Sequence, residues 1–145
     1  MKLIRHGKKA WKNGRPDHDP PLINGDDIKK LRNHLTEVPE YIVCSPFLRC
    51  RQTAEILSGG NIPIIIDSNL REYLGNWKFV SINFETLKNI QGPIIETYAQ
   101  FENRVKNCKY SGNIWIVSHG LTIREICKAW GKPPIYPDEA SFIEI

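Results

Sequence analysis

No apolar run in these 145 residues approaches the ~20 needed to cross a bilayer. The first residues also lack the apolar stretch of a signal peptide. The expectation is a protein with no membrane association, in the cytoplasm or a comparably reducing compartment. Cysteine is scarce: Cys44, Cys50, Cys108 and Cys127, with no CxxC pair among them. That spacing gives no support to a zinc site. It also argues against a disulfide framework, so the four are expected as small buried hydrophobes. There is no run of five like charges, and no basic block interleaved with aromatics. The 20 basic and 16 acidic residues are spread along the chain, so nucleic acid is not an expected partner. Repeats, low-complexity tracts and internal linkers are absent as well. Residues 1–145 therefore read as one domain, long enough to bury a core.

What the chain does have is alternation. "KLIRHG" reads as a short buried strand, and "GDDIKKLRNHL" puts Ile28, Leu31 and Leu35 at helical spacing. "YIVCSP" is a second strand, ended by Pro46. "FLRCRQTAEILSGG" aligns Cys50, Thr53, Ala54 and Leu57 on one helical face, and Gly59-Gly60 stops it. "IPIIID" follows as a third strand. Residues 96–109 place Tyr98, Phe101, Val105 and Cys108 on one face. "NIWIVSHG" is the clearest buried strand, and "LTIREICKAWG" groups Ile123, Ile126, Cys127 and Trp130. "SFIEI" closes the chain as a strand. Strands alternating with helices predict an α/β fold, a three-layer α/β/α sandwich around a mostly parallel sheet. Residues 8–25 form a long polar loop, a length that usually signals function or disorder.

Ligands of such sheets bind beyond the carboxyl ends of the strands. Those ends carry Arg5-His6-Gly7, then Ser45-Pro46 with Arg49 and Arg51 just inside the next helix, then Ser118-His119-Gly120. Guanidinium groups match phosphoryl oxygens bidentately. A histidine among them can attack phosphorus if its other nitrogen is held by a carbonyl. Gly7 allows close approach of backbone to a ligand. By composition this is a phosphate site, and a central first strand would explain why Arg5 and His6 come so early.

Four ordered elements, "RHG", "SPFLRCRQTAEIL", "LREYLGNW" and "VSHGLTIREI", resemble the histidine phosphatase superfamily, the phosphoglycerate mutase-like fold. "DPPLINGDDIKKL" and "ETYAQFENRV" extend the resemblance over most of the chain. It implies that His6 is phosphorylated and then hydrolysed, that Arg5, Arg49 and His119 hold the phosphate, and that Glu72 is the proton donor. It implies no metal and no cofactor. Arg49 matches the pocket arginine, three residues after Pro46; Arg51 is then a helix-surface residue or a substrate contact.

One stretch departs from the family pattern. After RHG a polar "x-T-E-W-N" run is common, whereas here Lys8, Lys9, Ala10, Trp11 and Lys12 follow. Lys9 and Lys12 are read as replacing the missing hydroxyl and amide by charge. The short chain leaves little room for the insertions of the mutases, which favours a phosphatase acting on a phosphorylated small molecule or a phosphoprotein. The alternatives are a mutase-like phosphotransferase and a catalytically weak phosphate- or phosphopeptide-binding module. His18 and His34 read as loop and helix-surface residues, and Asp17 and Asp19 as turn formers. A Cys-x5-Arg phosphatase loop fails on counting, since four residues separate Cys44 from Arg49 and six separate it from Arg51.

Overall fold

The computed structural model describes residues 1–10, 17–75 and 81–145. Strands β1 (Lys2–Arg5), β2 (Tyr41–Cys44), β3 (Ile64–Ile66), β4 (Ile114–Ser118) and β5 (Phe142–Glu144) form a sheet in the order β3-β2-β4-β1-β5. Its helices are α1 (Asp26–His34), α2 (Leu48–Ser58), α3 (Phe84–Lys88), α4 (Tyr98–Lys106) and α5 (Gly120–Ala129). Strands and helices arise where the apolar periods place them. The exceptions are α3 and a 3-10 turn at Ser68–Leu70, each too short to display a period. The middle position belongs to β4, and β1 lies between β4 and β5, so β1 is interior without being central.

Pairings β1·β4, β4·β2 and β2·β3 are parallel, and β5 runs antiparallel to β1. Successive side chains of a strand point to opposite faces, and the core divides accordingly. Leu3, Val43, Ile114 and Ile116 pack with Phe101 and Val105 of α4 and with Ile123 and Ile126 of α5. Ile4, Ile42, Cys44, Trp115 and Val117 pack on the other face with Ile28 and Leu31 of α1 and Cys50, Ala54 and Leu57 of α2. Helices on both faces make three layers, and they explain why β2 and β4 read as unbroken apolar runs. Each such buried aliphatic side chain contributes on the order of 1.5–3 kcal/mol. All four cysteines are buried free thiols. Among the described residues no helix is long and apolar enough to cross a membrane.

The strand order also locates a crevice. After β1 the chain passes through α1 on one face; after β4 it passes through α5 on the other. The two strands are neighbours, so their carboxyl ends open between diverging helices, the usual position of a ligand in an open α/β sheet.

Candidate active site

Arg5 pairs with Ser118 across the β1·β4 ladder. The next residues, His6 and His119, therefore leave the sheet side by side, their rings 5.4 Å apart at 61°. Both are buried. Between them lies Arg49 from the first turn of α2, only 1% exposed. Its Nε donates to His6 Nε2 (3.3 Å), one Nη2 hydrogen reaches His119 Nδ1 (3.2 Å), and Nη1 donates to the carbonyl of His18 (3.2 Å). Arg49 Nη2 also forms an ion pair with Glu72. One guanidinium thus touches both histidines and the predicted acid.

Hydrogen-bond partners assign the tautomers. His6 Nδ1 lies 2.7 Å from the Gly7 carbonyl, which can only accept, so Nδ1 carries the hydrogen and Nε2 presents its lone pair. His119 Nδ1 faces a guanidinium, which can only donate; the ring hydrogen is then on Nε2 and is donated to Ser45 Oγ, 2.8 Å away. Burial first and Arg49 second pull the His6 imidazole down from 6.5 to about 3. The same two causes hold His119 well below its ordinary value, with His6 adding to them. Both rings are neutral at pH 7. Above 6.5 neither the folded nor the unfolded chain holds that proton; as pH falls from 6.5 towards 3 stability is lost, because the unfolded chain takes up a proton that the folded site refuses. The urea midpoint of the wild type is therefore expected to drop between pH 7 and pH 4, and to drop less steeply in His6→Asn. Parallel curves for the two proteins would show that His6 titrates normally.

Neighbouring residues fix this arrangement. The Thr53 hydroxyl accepts from the Gly7 amide (3.1 Å) and donates to the Arg49 carbonyl (2.7 Å), tying the end of β1 to α2. Phe47 meets the His119 ring edge-on at 5.3 Å, and Cys50 Sγ lies 3.5 Å from its Nε2. A Cβ on Gly7 would stand 2.7 Å from Ile28 Cγ1. The glycine therefore admits α1, a packing demand distinct from the ligand approach expected of it. Asp19 does more than form a turn. It is buried, and it accepts from the Leu48 amide (2.6 Å), the Thr86 hydroxyl (2.6 Å) and the Asn83 amide (3.1 Å). The anion at the start of α2 is accordingly the protein's own carboxylate. Asp17 does make the expected local turn, accepting from the Asp19 amide at 3.0 Å.

The remaining expected residues are distributed unevenly. Arg5 is at the same sheet edge and near enough to disfavour charge on His6. Its Nη1, however, donates to the Pro137 carbonyl (2.8 Å), and its guanidinium lies 5.0 Å from the centre of the Tyr136 ring. Lys9 stands in the charge field of Glu72, Arg49, Glu139 and Arg5, with burial lowering its ammonium's proton affinity. Lys12 lies outside the described residues, as does Trp11. Arg51 bonds the Pro46 carbonyl and the Thr86 hydroxyl. Sequence reasoning does not single out Ser45, Thr53 or Asp19 as site residues. The local signals available for them are the "QTA" run after Arg49 for Thr53, the end of the "YIVCSP" strand for Ser45 and the start of "DPPLINGDDIKKL" for Asp19.

Sheet order, switch point and paired strand-end histidines are together the arrangement of the phosphoglycerate mutase-like α/β class. The model described as Histidine phosphatase superfamily (branch 1) matches residues 1–137, and the chain belongs to that superfamily. Solved structures share the fold. The protein TTHB049 from Thermus thermophilus is 25% identical, with a TM-score of 0.66 over 97% of this chain and 89% of that one. The alpha-ribazole phosphatase from Shigella flexneri is 22% identical, with a TM-score of 0.70 over 97% and 87%. The phosphoserine phosphatase from Entamoeba histolytica, in complex with 3-phosphoglyceric acid, is 20% identical, with a TM-score of 0.68 over 97% and 87%. No curated protein matches the chain.

Proposed function

We propose that residues 1–145 form a single domain that hydrolyses phosphomonoesters without a metal ion, through a phosphohistidine on His6. The observation that carries this reading is the His6 ring: Nδ1–H held by the Gly7 carbonyl, Nε2 unprotonated and facing Arg49. The Nε2 lone pair attacks phosphorus, and a P–N bond forms as the P–O bond to the leaving alcohol breaks. Arg49 balances charge on the phosphoryl oxygens, with Arg5 and Lys9 around it, and neutral His119 steadies the guanidinium through Nδ1. A phosphoryl dianion entering beside the Glu72 carboxylate would set two anions together. The conflict is relieved when Glu72 carries the proton that it then gives to the leaving oxygen. Glu72 next takes a proton from water as the water oxygen attacks phosphorus. The P–N bond breaks, inorganic phosphate leaves, and neutral His6 is restored.

Substrates on this reading are phosphorylated small molecules or phosphoproteins, met in the cytoplasm. Since cationic side chains supply the charge that a metal would otherwise supply, hydrolysis of an aryl phosphate is expected to survive exhaustive chelation. Vanadate, which adopts the geometry of the transferring phosphoryl group, is expected to inhibit competitively. Activity that vanishes with the chelator and returns with magnesium would defeat the proposal. So would phosphate binding without turnover, the behaviour of a binding module.

A further inference from the structure

The segment that carries Glu72 has neither helix nor strand beyond the 3-10 turn to hold it, yet its carbonyls are held in succession by side chains. Arg71 Nη1 donates to Ser68 O (2.8 Å) and Arg104 Nη1 to Asn69 O (2.8 Å). Ser118 Oγ donates to Leu70 O (2.7 Å), Thr122 Oγ1 to Arg71 O (3.2 Å), and Arg104 Nη2 to Glu72 O (3.2 Å). Ser118 and Thr122 flank His119 in the chain, so they fasten the segment to the element that delivers that histidine. Arg104, from the last turn of α4, grips the segment at Asn69 and again at Glu72 itself. A guanidinium can do this because its donors form a rigid planar fork.

The fork is in turn oriented by Glu96, whose carboxylate receives Arg104 Nε at 2.8 and 3.0 Å. Arg71 Nη2 lies 3.6 Å from the other side of Glu96. Arg104 and Glu96 are both buried. A buried ion pair is a weak device for stability, since apolar residues of similar volume often serve as well. Its geometric effect is more specific: it sets which way the Glu72 backbone faces.

We infer that Arg104, oriented by Glu96, is a positioning residue for the proton donor, holding the Glu72 carboxyl where it meets the leaving oxygen beside Arg49. This rests on the reading of Glu72 as general acid. Loss of the grip is expected to affect protonation of the leaving group and to spare attack by His6. A displacement of about 1 Å at a reacting group costs about 10²-fold. Arg104→Lys keeps the charge but cannot span both carbonyls and the carboxylate.

The test compares kcat for an alkyl phosphate, whose alkoxide needs a proton, with kcat for a nitrophenyl phosphate, whose leaving group does not. Glu72→Gln serves as the reference variant. Arg104→Lys is expected to slow the alkyl ester by about 10²-fold and the aryl ester by less than about threefold. Trapped phosphohistidine should still form from the aryl ester, and Arg104→Lys should add no further alkyl loss in the Glu72→Gln background. If Glu72→Gln fails to discriminate between the esters, the acid assignment falls, and this inference with it. If Glu72→Gln discriminates and Arg104→Lys slows both esters alike, the positioning role alone is overturned. Where Arg104→Lys does not fold, Glu96→Gln carries the same comparison: an alkyl-selective loss supports the role and an equal loss removes it.

Discussion

Replacing His6 by alanine is expected to abolish the covalent intermediate and to lower turnover by about 10⁴-fold or more, because without the nucleophile only binding and charge stabilisation are left. The measurement is a rapid quench of a labelled aryl phosphate, followed by mapping of the label. In the wild type it should lie on the peptide containing "LIRHGK", in a P–N linkage that acid cleaves and alkali spares. Two neighbouring nucleophiles make the experiment discriminating. Cys44 is a poor candidate because burial pushes its thiol up to about 12. Ser45 is a better one, its Oγ 2.8 Å from a histidine. But the Arg49 contact leaves the hydrogen on His119 Nε2, so that ring gives a hydrogen bond to Ser45 and cannot take its proton. A label on Ser45, acid-stable and alkali-labile, or near-normal turnover in His6→Ala, would overturn the mechanism. His119→Ala should be slow yet still become labelled, since its ring contacts Arg49 and Ser45 beside the nucleophile and is not itself the attacking group.

Arg49→Met is expected to be nearly as damaging to activity while leaving the fold intact. Arg49 bonds both histidines and Glu72, so the variant removes charge from the phosphoryl group and orientation from its neighbours together. Deleting one donor to a developing anion costs about 10²–10³-fold. A fork serving several partners should exceed that, and a loss in kcat/KM of about 10³-fold or more is expected, with vanadate inhibition weakened in parallel. Stability should fall by about 1–3 kcal/mol, because His6 Nε2, His119 Nδ1 and the His18 carbonyl are left without their donor; the Glu72 carboxylate, 30% exposed, can still turn to water. Steady-state kinetics with a urea titration on the same preparation checks both halves. Near wild-type kcat/KM in a folded Arg49→Met would show that phosphate is held elsewhere.

Much of this fold is legible in the chain alone. Strands and α-helices of three turns or so announce themselves because a half-buried element must repeat its apolar residues at its own period. Cys50, Thr53, Ala54 and Leu57 are buried together as spaced. Helical spacing puts Tyr98 on the same face as Phe101 and Val105, yet it is partly exposed and donates from its hydroxyl to Glu125 (2.7 Å). Period alone does not distinguish an aromatic at the rim from one in the core. Asp19 misleads for a related reason. Its sequence neighbours suffice for a turn, and its other partners, Leu48, Asn83 and Thr86, lie far along the chain.

By itself the sequence determined that His6 and His119 each leave a buried strand at its carboxyl end and that Arg49 begins a helix, since those placements follow from local apolar patterns. It also determined the family, through motifs whose order survives even where Lys8 to Lys12 depart from them. Tertiary structure alone decided that β1 and β4 are neighbours, that Arg49 lies between their histidines, and that Arg104 reaches the backbone of Glu72. A strand's period says which face a side chain occupies, never which strand lies beside it. Strand order is settled by how the helices cover both faces of the sheet, and a ring's tautomer by whichever donor or acceptor that packing brings to it.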